Sequence, residues 1–251
     1  MTRLVRAEWT KLFTTKVWLG LLLGSVVMVA AFAIFFTAFA GEDESGLPAV
    51  GTPLYEDLIL STATNANILF LILGIIGMTQ EYRHRTATPT FLTSPRRGQV
   101  VIAKLIAYAL VAAVFALVVV IVNYVVVLIH AGARGAAPSL DGDNLTTMAN
   151  SLVALVIYAV IGVGLGALLR NQVGAIVGGL VYLFVIEPII RSVPATAGAY
   201  KWMPGGGLEA LTATFEGPDL LEAWQGGLVL LGYGLLAAFL GSMLAVRRDV
   251  V

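Results

Sequence analysis

The sequence has no cysteine and little charge. None of its 251 residues is cysteine, and only 12% are charged. The lack of cysteine excludes disulfide bonds, thiol catalysis and thiolate metal sites. A soluble domain carries about 25% charged residues, whereas 59% of this chain is hydrophobic. Because a soluble chain of this length would still need a polar surface, the composition indicates a protein dissolved in a lipid bilayer. The formal net charge of zero gives no indication of a nucleic-acid partner.

The chain also lacks the residue patterns of several kinds of active site. Its only histidines, His84 and His130, are predicted on opposite sides of the membrane, so they cannot form a metal pair or share a catalytic site. No G-x-x-x-x-G-K-[ST] motif is present, and no segment could form a soluble nucleotide-binding fold. The sequence therefore excludes ATP binding by that mechanism, and we expect no catalytic residues, no bound metal and no bound cofactor.

Six segments are apolar and long enough, or nearly so, to cross a bilayer as helices, since about 20 residues are required. The fifth meets Glu187-Pro188 and is predicted to be short or broken near that end. The six segments are Val17–Ala40, Leu58–Gln80, Leu105–Ile129, Ser151–Leu169, Val173–Ile190 and Gly226–Val246. The fold class predicted is an all-α integral membrane protein, a single transmembrane domain over residues 1–251.

Positive charge lies mainly on one side of these spans. If the amino terminus is cytoplasmic, twelve of the fifteen lysines and arginines fall in inner segments. Only Arg134, Arg191 and Lys201 fall in outer segments. Cytoplasmic loops carry an excess of lysine and arginine, so the chain is predicted to be a multi-pass protein of the cell membrane with both termini in the cytoplasm.

Two segments outside the spans are predicted to lie at the membrane surface. Met1–Lys16 has apolar residues near the helical period and cations between them, which favours an amphipathic helix in the plane of the membrane. An ordinary basic flank before the first span is the alternative. Residues 191–225 form a long outer loop that mixes proline, glycine, tryptophan and leucine. That mixture predicts short interfacial helices between spans five and six.

The basic stretch Gln80–Lys104 is the best candidate for contact with a soluble partner. Thr93-Ser94-Pro95 is typical of a helix start and would lead into the third span. Before it, Thr86–Leu92 is short, uncharged and partly apolar. Two interpretations remain open from the residues alone. The short segment inserts into a cleft on another protein, or the loop is basic only because basic loops stay in the cytoplasm.

Polar residues within the spans are candidates for a translocation path or for hydrogen bonds between helices. The candidates for a path are Thr64, Asn65, Asn67, Asn123 and Glu187. Three G-x-x-x-G pairs, Gly20/Gly24, Gly162/Gly166 and Gly174/Gly178, could bring helices close together. We expect tight packing for the pairs in spans four and five.

Four features in this order are similar to a known family. They are Glu8-Trp9-Thr10-Lys11-Leu12 before span one; Glu81, Thr86, Leu92, Pro95-Arg96-Arg97 and Ala103-Lys104 around the basic loop; Gly162 to Ala175 across an inner turn; and Trp202-Met203-Pro204 before a last span closing on Arg247-Arg248-Asp249. The layout resembles the permease subunits of ABC-2-type ABC transporters. One departure is Arg85, since members of that family often have glycine before the threonine.

The resemblance implies a division of labour between subunits. Residues 1–16 would be an elbow helix, and residues 81–99 a cytoplasmic coupling loop that docks on a separate ABC ATPase, which would bind ATP and Mg. A second permease copy or a related permease subunit would complete the path, and the complex would be an exporter. The residues implied in coupling are Glu81, Arg83, Arg85, Thr86, Thr88, Pro89, Phe91, Leu92, Arg96 and Arg97. The alternative is a secondary transporter or channel that works without ATP.

Overall fold

The computed structural model describes residues 2–42, 44–83, 97–212 and 220–247, and every regular element within them is helical. Six of its helical segments are long and apolar enough to cross a membrane. The predicted all-α fold with six membrane-spanning helices is confirmed.

The helices follow one another with short connections. An amino-terminal helix precedes the first span, and two short helices lie between the fifth and sixth spans. The helices are α1 (Thr2–Phe13), α2 (Val17–Phe39), α3 (Pro53–Ser61), α4 (Asn67–Arg83), α5 (Arg97–Ala133), α6 (Gly142–Leu169), α7 (Gln172–Val181), α8 (Glu187–Ser192), α9 (Pro194–Tyr200), α10 (Pro204–Thr212) and α11 (Ala223–Arg247). Span 1 is α2, span 2 is α3 with α4, span 3 is α5, span 4 is α6, span 5 is α7 with α8, and span 6 is α11.

We call the end of the molecule that is predicted to face the cytoplasm the inner end and the opposite end the outer end; this orientation stays a prediction. The first and third connections between spans, at the outer end, are shorter than the sequence predicts. The predicted segments Val17–Ala40 and Leu58–Gln80 leave residues 41–57 as a connection. In the structure this connection ends early because Thr52 caps a helix that starts with Pro53 and accepts a hydrogen bond from the Tyr55 backbone.

The predicted segments Leu105–Ile129 and Ser151–Leu169 leave residues 130–150 as a connection, and both of its predicted ends are wrong. Helix α5 continues to Ala133, and α6 starts at Gly142 after the cap Asp141. Hydrogen bonds from Ser139 and from the Asn144 backbone lower the pKa of Asp141.

Two spans depart from regular α-helix. Span 2 contains a 3-10 turn at Thr62–Ala66, and span 5 contains a π-helical turn at Tyr182–Ile186. The sequence predicted span 5 to be short or broken near Glu187-Pro188, but the helical segment continues without a break to Ser192 and contains the π-helical turn just before these residues. Pro188 lies in the first turn of α8, directly after this π-helical turn.

Spans 2, 3 and 4 form the centre of the molecule. Their buried side chains include Ile75, Tyr108 and Leu155. Spans 2 and 4 approach closely because Gly74 and Gly162 lie in their contact. A Cβ on Gly162 would lie 2.1 Å from the Leu71 carbonyl oxygen.

The predicted G-x-x-x-G pairs differ in whether they lie in close contact with another helix. The predicted tight packing holds for Gly162/Gly166, since a Cβ on Gly166 would lie 2.9 Å from the Met78 Cβ. It is wrong for Gly174/Gly178 within the described part of this chain. A Cβ on Gly174 would meet only Asn171 of its own turn, and Gly178 has no atom within 4 Å. This pair lies on a side of span 5 that no other described helix covers.

Short helices between spans 5 and 6 were predicted, and α9 and α10 are those helices. All but the last residue of α9 are exposed, whereas α10 buries Ala210 and Leu211 and packs against α11. A Cβ on Gly226 would lie 2.6 Å from the Gly207 carbonyl oxygen, so α10 and α11 nearly touch. Their position at a membrane interface stays a prediction.

Candidate functional site

The inner end of the molecule carries a buried cluster of charges. Successive spans run in opposite directions, so the end of α4, the start of α5 and the amino-terminal helix α1 meet at this end. The predicted helix over Met1–Lys16 is observed as α1, with Glu8 and Leu12 buried on one face. Its position in the plane of the membrane stays a prediction.

Four side chains from three helices make up this charge cluster. Lys104 of α5 has no exposure and donates to Glu8 Oε2 at 2.5 Å. Lys11 of α1 donates to Glu8 Oε1 at 2.7 Å and to Glu81 Oε1 at 2.5 Å. Lys104 also lies 3.4 Å from Glu81 Oε1. We call Glu8, Lys11, Glu81 and Lys104 the inner charge cluster.

The cluster contains two carboxylates and two lysines, so its formal charges cancel, and the oppositely charged groups lie within ion-pair distance of each other. Glu8 and Glu81 are 4% and 5% exposed, so each needs a partner to offset its loss of hydration. Burial lowers the pKa of Lys11, but its hydrogen bonds to Glu8 and Glu81 outweigh that effect and raise the pKa above 10.5. Lys11 is therefore charged throughout the neutral range.

A glycine gives Lys104 access to the backbone of α4. Lys104 Nζ donates to the Gly77 carbonyl oxygen at 3.1 Å. The ring of Tyr108 packs against the same glycine, where a Cβ would lie 2.2 Å from the ring. Any side chain at this position would therefore displace the buried Tyr108 ring.

The residues implied in coupling lie partly outside the described structure. Glu81 and Arg83 are in the last turns of α4, and Arg97 is the first residue of α5. The remaining candidates lie outside the described residues, and so does the predicted helix start at Thr93-Ser94-Pro95. They are Arg85, Thr86, Thr88, Pro89, Phe91, Leu92 and Arg96. The structure nevertheless joins both ends of the loop, because Glu81 before it and Lys104 after it belong to one charge cluster.

Asn123 and Thr64 make hydrogen bonds within the helix bundle. Asn123 is 1% exposed, and its amide nitrogen donates to the carbonyl oxygens of Ile59 and Leu60 at 3.2 and 3.0 Å. Its amide oxygen accepts from Thr62 at 3.1 Å. These bonds tie span 3 to the irregular turn of span 2. Thr64 donates to the Ser61 carbonyl oxygen at 2.7 Å within its own span.

The other three path candidates lie together at the outer end. Asn65, Asn67 and Glu187 line one cavity of about 290 Å³ between spans 1, 2, 4 and 5 and the short helices α9 and α10. Glu187 is 4% exposed and accepts a hydrogen bond from the Gly205 backbone at 2.9 Å. The structure thus brings together the candidates from spans 2 and 5 and separates them from Asn123.

A second cavity next to it is almost wholly apolar. It measures about 350 Å³ and lies between spans 2, 4, 5 and 6, with Tyr158, Leu183 and Tyr233 among its lining residues. Tyr158 and Leu183 line both cavities. Apolar and polar lining therefore adjoin at this end of the bundle.

Sequence reasoning did not single out the ionic partners of Glu81. The signals were nevertheless present. Glu8 is the only acidic residue before Glu42, and it precedes Leu12 by four residues, which places both on one helix face. Lys104 stands alone in an apolar stretch of span 3, and a charge in such a place is usually paired.

The comparisons with known proteins agree with this architecture. The family model described as ABC-2 family transporter protein matches residues 4–186, more than two thirds of the chain. No curated protein matches the chain. The matched region contains the whole inner charge cluster and spans 1 to 4. This six-span, multi-pass membrane protein therefore belongs to the ABC-2 family of transporter proteins and is a permease of an ABC transporter.

Proposed function

We propose that this permease is the membrane subunit of an ATP-driven exporter and couples to a separate ABC ATPase through residues 81–99. The inner charge cluster is the observation that carries the proposal. It links the two ends of this loop to each other and to α1. ATP and Mg would bind to the partner ATPase, and the chain by itself would not be catalytic.

The cluster offers a physical route for transmission. A displacement of the loop would pull on Glu81 at one end and on Lys104 at the other. Because both side chains also hold α1 through Glu8 and Lys11, the three helices would move as one unit. Packed cores pass on strain because they are dense, so a movement of this unit would reach span 4 through its close contact with span 2.

The transport path in this proposal runs along the bundle between two permease subunits. The second subunit would be another copy of this chain or a related permease. The uncovered side of span 5, with Val173 and Val177 at 72% and 51% exposed beside Gly174/Gly178, offers it a close approach. Both termini would be cytoplasmic, and the cavity with Glu187 would face the outer end of the path.

Replacement of the docking segment tests the proposal. Thr86–Leu92 would be replaced with a Gly/Ser linker of the same length, and association with the ATPase would be measured by co-purification. We expect association and ATP-dependent transport to be lost. A control replaces residues 44–50, an outer loop of equal length, and should keep both.

A second measurement separates docking from transmission. Glu81→Gln removes a charge from the inner cluster but leaves the docking segment intact. We expect the ATPase to remain bound while transport per ATP hydrolysed falls several-fold. Unchanged association after the linker replacement, or flux driven by an ion gradient without ATP, would overturn the proposal in favour of a secondary transporter or channel.

A further inference from the structure

The cavity that contains Asn65, Asn67 and Glu187, which we call the outer cavity, is lined by an unusual combination of side chains. Aromatic rings surround it, amides and carboxylates reach into it, and the rest of its wall is aliphatic. Its lining residues are Met28, Phe32, Asn65, Asn67, Ile68, Tyr158, Leu183, Phe184, Glu187, Tyr200, Gly205, Leu208 and Glu209. With about 290 Å³, it is close to the size of small-molecule sites in other proteins.

Glu187 places a carboxylate in this cavity without a cationic partner. Its side chain is buried, and one oxygen accepts from the Gly205 backbone. The Tyr182 hydroxyl also interacts with it. Across the residues that the structure describes, no lysine or arginine forms an ion pair with Glu187. The carboxylate is therefore held by dipoles, and its charge is not neutralised.

The neighbouring carboxylate shows the contrast. Glu209 lies 2.5 Å from Arg191 Nη1 and accepts from the Tyr200 hydroxyl at 3.1 Å. Arg191 is also stacked over the Tyr200 ring, with its guanidinium carbon 5.2 Å from the ring centroid. Arg191 is thus engaged by Glu209 and Tyr200, which leaves Glu187 with the unbalanced negative charge of the site.

We propose that this cavity binds an organic cation with an apolar body, with Glu187 as its counter-ion. The ammonium group would lie between Glu187 and the ring of Tyr158, since aromatic faces attract cations. The amides of Asn65 and Asn67 would accept hydrogen bonds from it, and its apolar body would contact the aliphatic wall. The role of this cavity as part of the transport path rests on the proposed function.

Other ligand classes fit the cavity less well. An anion would meet Glu187 and Glu209 with no free cation among the lining residues. A metal ion would need a denser set of ligands, and no group of three or more histidine, aspartate or glutamate side chains able to hold one occurs in the described residues. A bare ion would also gain nothing from contact with the largely apolar part of the lining.

Binding of three matched probes tests this assignment. Phenylbutylammonium, phenylbutanol and phenylbutanoate share one apolar body and differ in charge. Each would be titrated into the full-length permease in lipid nanodiscs, with empty nanodiscs subtracted. We expect the ammonium to bind at least about tenfold more tightly than the alcohol, and the carboxylate to bind most weakly.

Two variants and their controls locate the site. Glu187→Gln keeps an oxygen for the Gly205 backbone, so it should abolish the preference for the ammonium while binding of the alcohol is retained. The control Glu222→Gln, at an exposed position, should keep the preference. Gly205→Ala would place a Cβ 2.4 Å from Glu187 Oε2 and should weaken binding of the ammonium. Gly198→Ala, with no atom within 4 Å of that Cβ, should not.

The outcomes separate this inference from the proposed function. Equal binding of the three probes, or a preference that persists in Glu187→Gln, overturns the cation site even if ATP drives transport. A preference that depends on Glu187 supports the site even if the docking segment proves dispensable for association with the ATPase.

Discussion

Lys104 shows how much a single side chain can hold together. It is fully buried and contacts a carboxylate of α1, a carboxylate of α4 and a backbone carbonyl of α4. A buried ion pair gains little net free energy, because the desolvation of its charges opposes their attraction. Removal of one partner is costly, however, because a charge then remains buried and unpaired. The inner charge cluster is therefore a device for fixing position.

Lys104→Met is expected to lower the free energy of unfolding by about 3–5 kcal/mol, because Glu8 and the Gly77 carbonyl lose their donor. Unfolding in a denaturing detergent titration measures the change. The exposed Lys16 provides the control, and Lys16→Met should have almost no effect. Lys11 still donates to Glu8 Oε1 in this variant, so the cluster keeps two carboxylates for one lysine, and adding Glu8→Gln to Lys104→Met should recover part of the loss. Failure of the double variant to recover would show that the loss has another cause.

The pKa of Lys11 sets the pH range in which its ion pairs stabilise the fold. Its pKa is raised in the folded protein, so its ion pairs stabilise the fold fully below pH 10.5 and are lost as pH rises through the raised value. Lys11→Met should therefore reduce stability equally at about pH 6 and about pH 8, and the difference from the unaltered protein should shrink only in strong alkali. Thermal unfolding across this range measures the difference. A difference that vanished near neutral pH would contradict the assignment.

At the scale of the helices, contacts between backbones decide which spans pack together. Gly74 and Gly162 bring spans 2 and 4 to a distance that no side chain would allow. Asn123 ties span 3 to the carbonyl oxygens of Ile59 and Leu60 at the end of α3, and it accepts a hydrogen bond from Thr62 at the start of the irregular turn. At the outer end, the Arg134 guanidinium donates to the carbonyls of Thr37, Ala38 and Ala40, which satisfies the end of α2.

Gly162→Ala is expected to lower the free energy of unfolding by about 1–3 kcal/mol, because the new Cβ would meet backbone that cannot move aside. Gly20→Ala is the matched control in an open position of span 1 and should be neutral or slightly stabilising. Detergent titration measures both. Gly178→Ala, also open in this chain, should resemble the control in a monomer. If Gly178→Ala strongly lowers stability only in the assembled complex, this glycine lies in the contact with a second subunit.

The whole molecule is polarised from one end to the other. The inner end carries the charge cluster and both ends of the basic loop, whereas the outer end carries Glu187, Glu209 and the short helices α9 and α10. Because the chain has no cysteine, single cysteines can report which end faces which compartment without background.

Ala7→Cys and Ala197→Cys test the orientation of the molecule. Both positions are exposed, the first in α1 and the second in α9. We expect a membrane-impermeant maleimide to label Ala197→Cys in intact cells and Ala7→Cys only after the membrane is permeabilised. Gel shifts of the labelled protein measure this. The reverse pattern would contradict the cytoplasmic placement of the termini.

The sequence determined the fold class because the signal is local. Length and apolarity of single segments predict six spans, and the order of local motifs around Glu81 and Lys104 predicts the family. The helix ends at Thr52 and Asp141 were missed, although their capping residues are visible in the sequence. The irregular turns were harder to predict, since Thr62 at the start of Thr62–Ala66 is hydrogen-bonded to Asn123, which is 61 residues away in the sequence.

Only the tertiary structure decided which polar residues act together. Thr64, Asn65, Asn67, Asn123 and Glu187 are equivalent as polar residues in apolar spans, yet packing engages Asn123 in hydrogen bonds and leaves Asn65 and Asn67 beside Glu187. Likewise, Glu8 and Lys104 pair across 96 residues. Hydrophobicity acts segment by segment and is readable along the chain. Charge pairing and cavity formation depend on helices that meet only after folding, so no local pattern contains them.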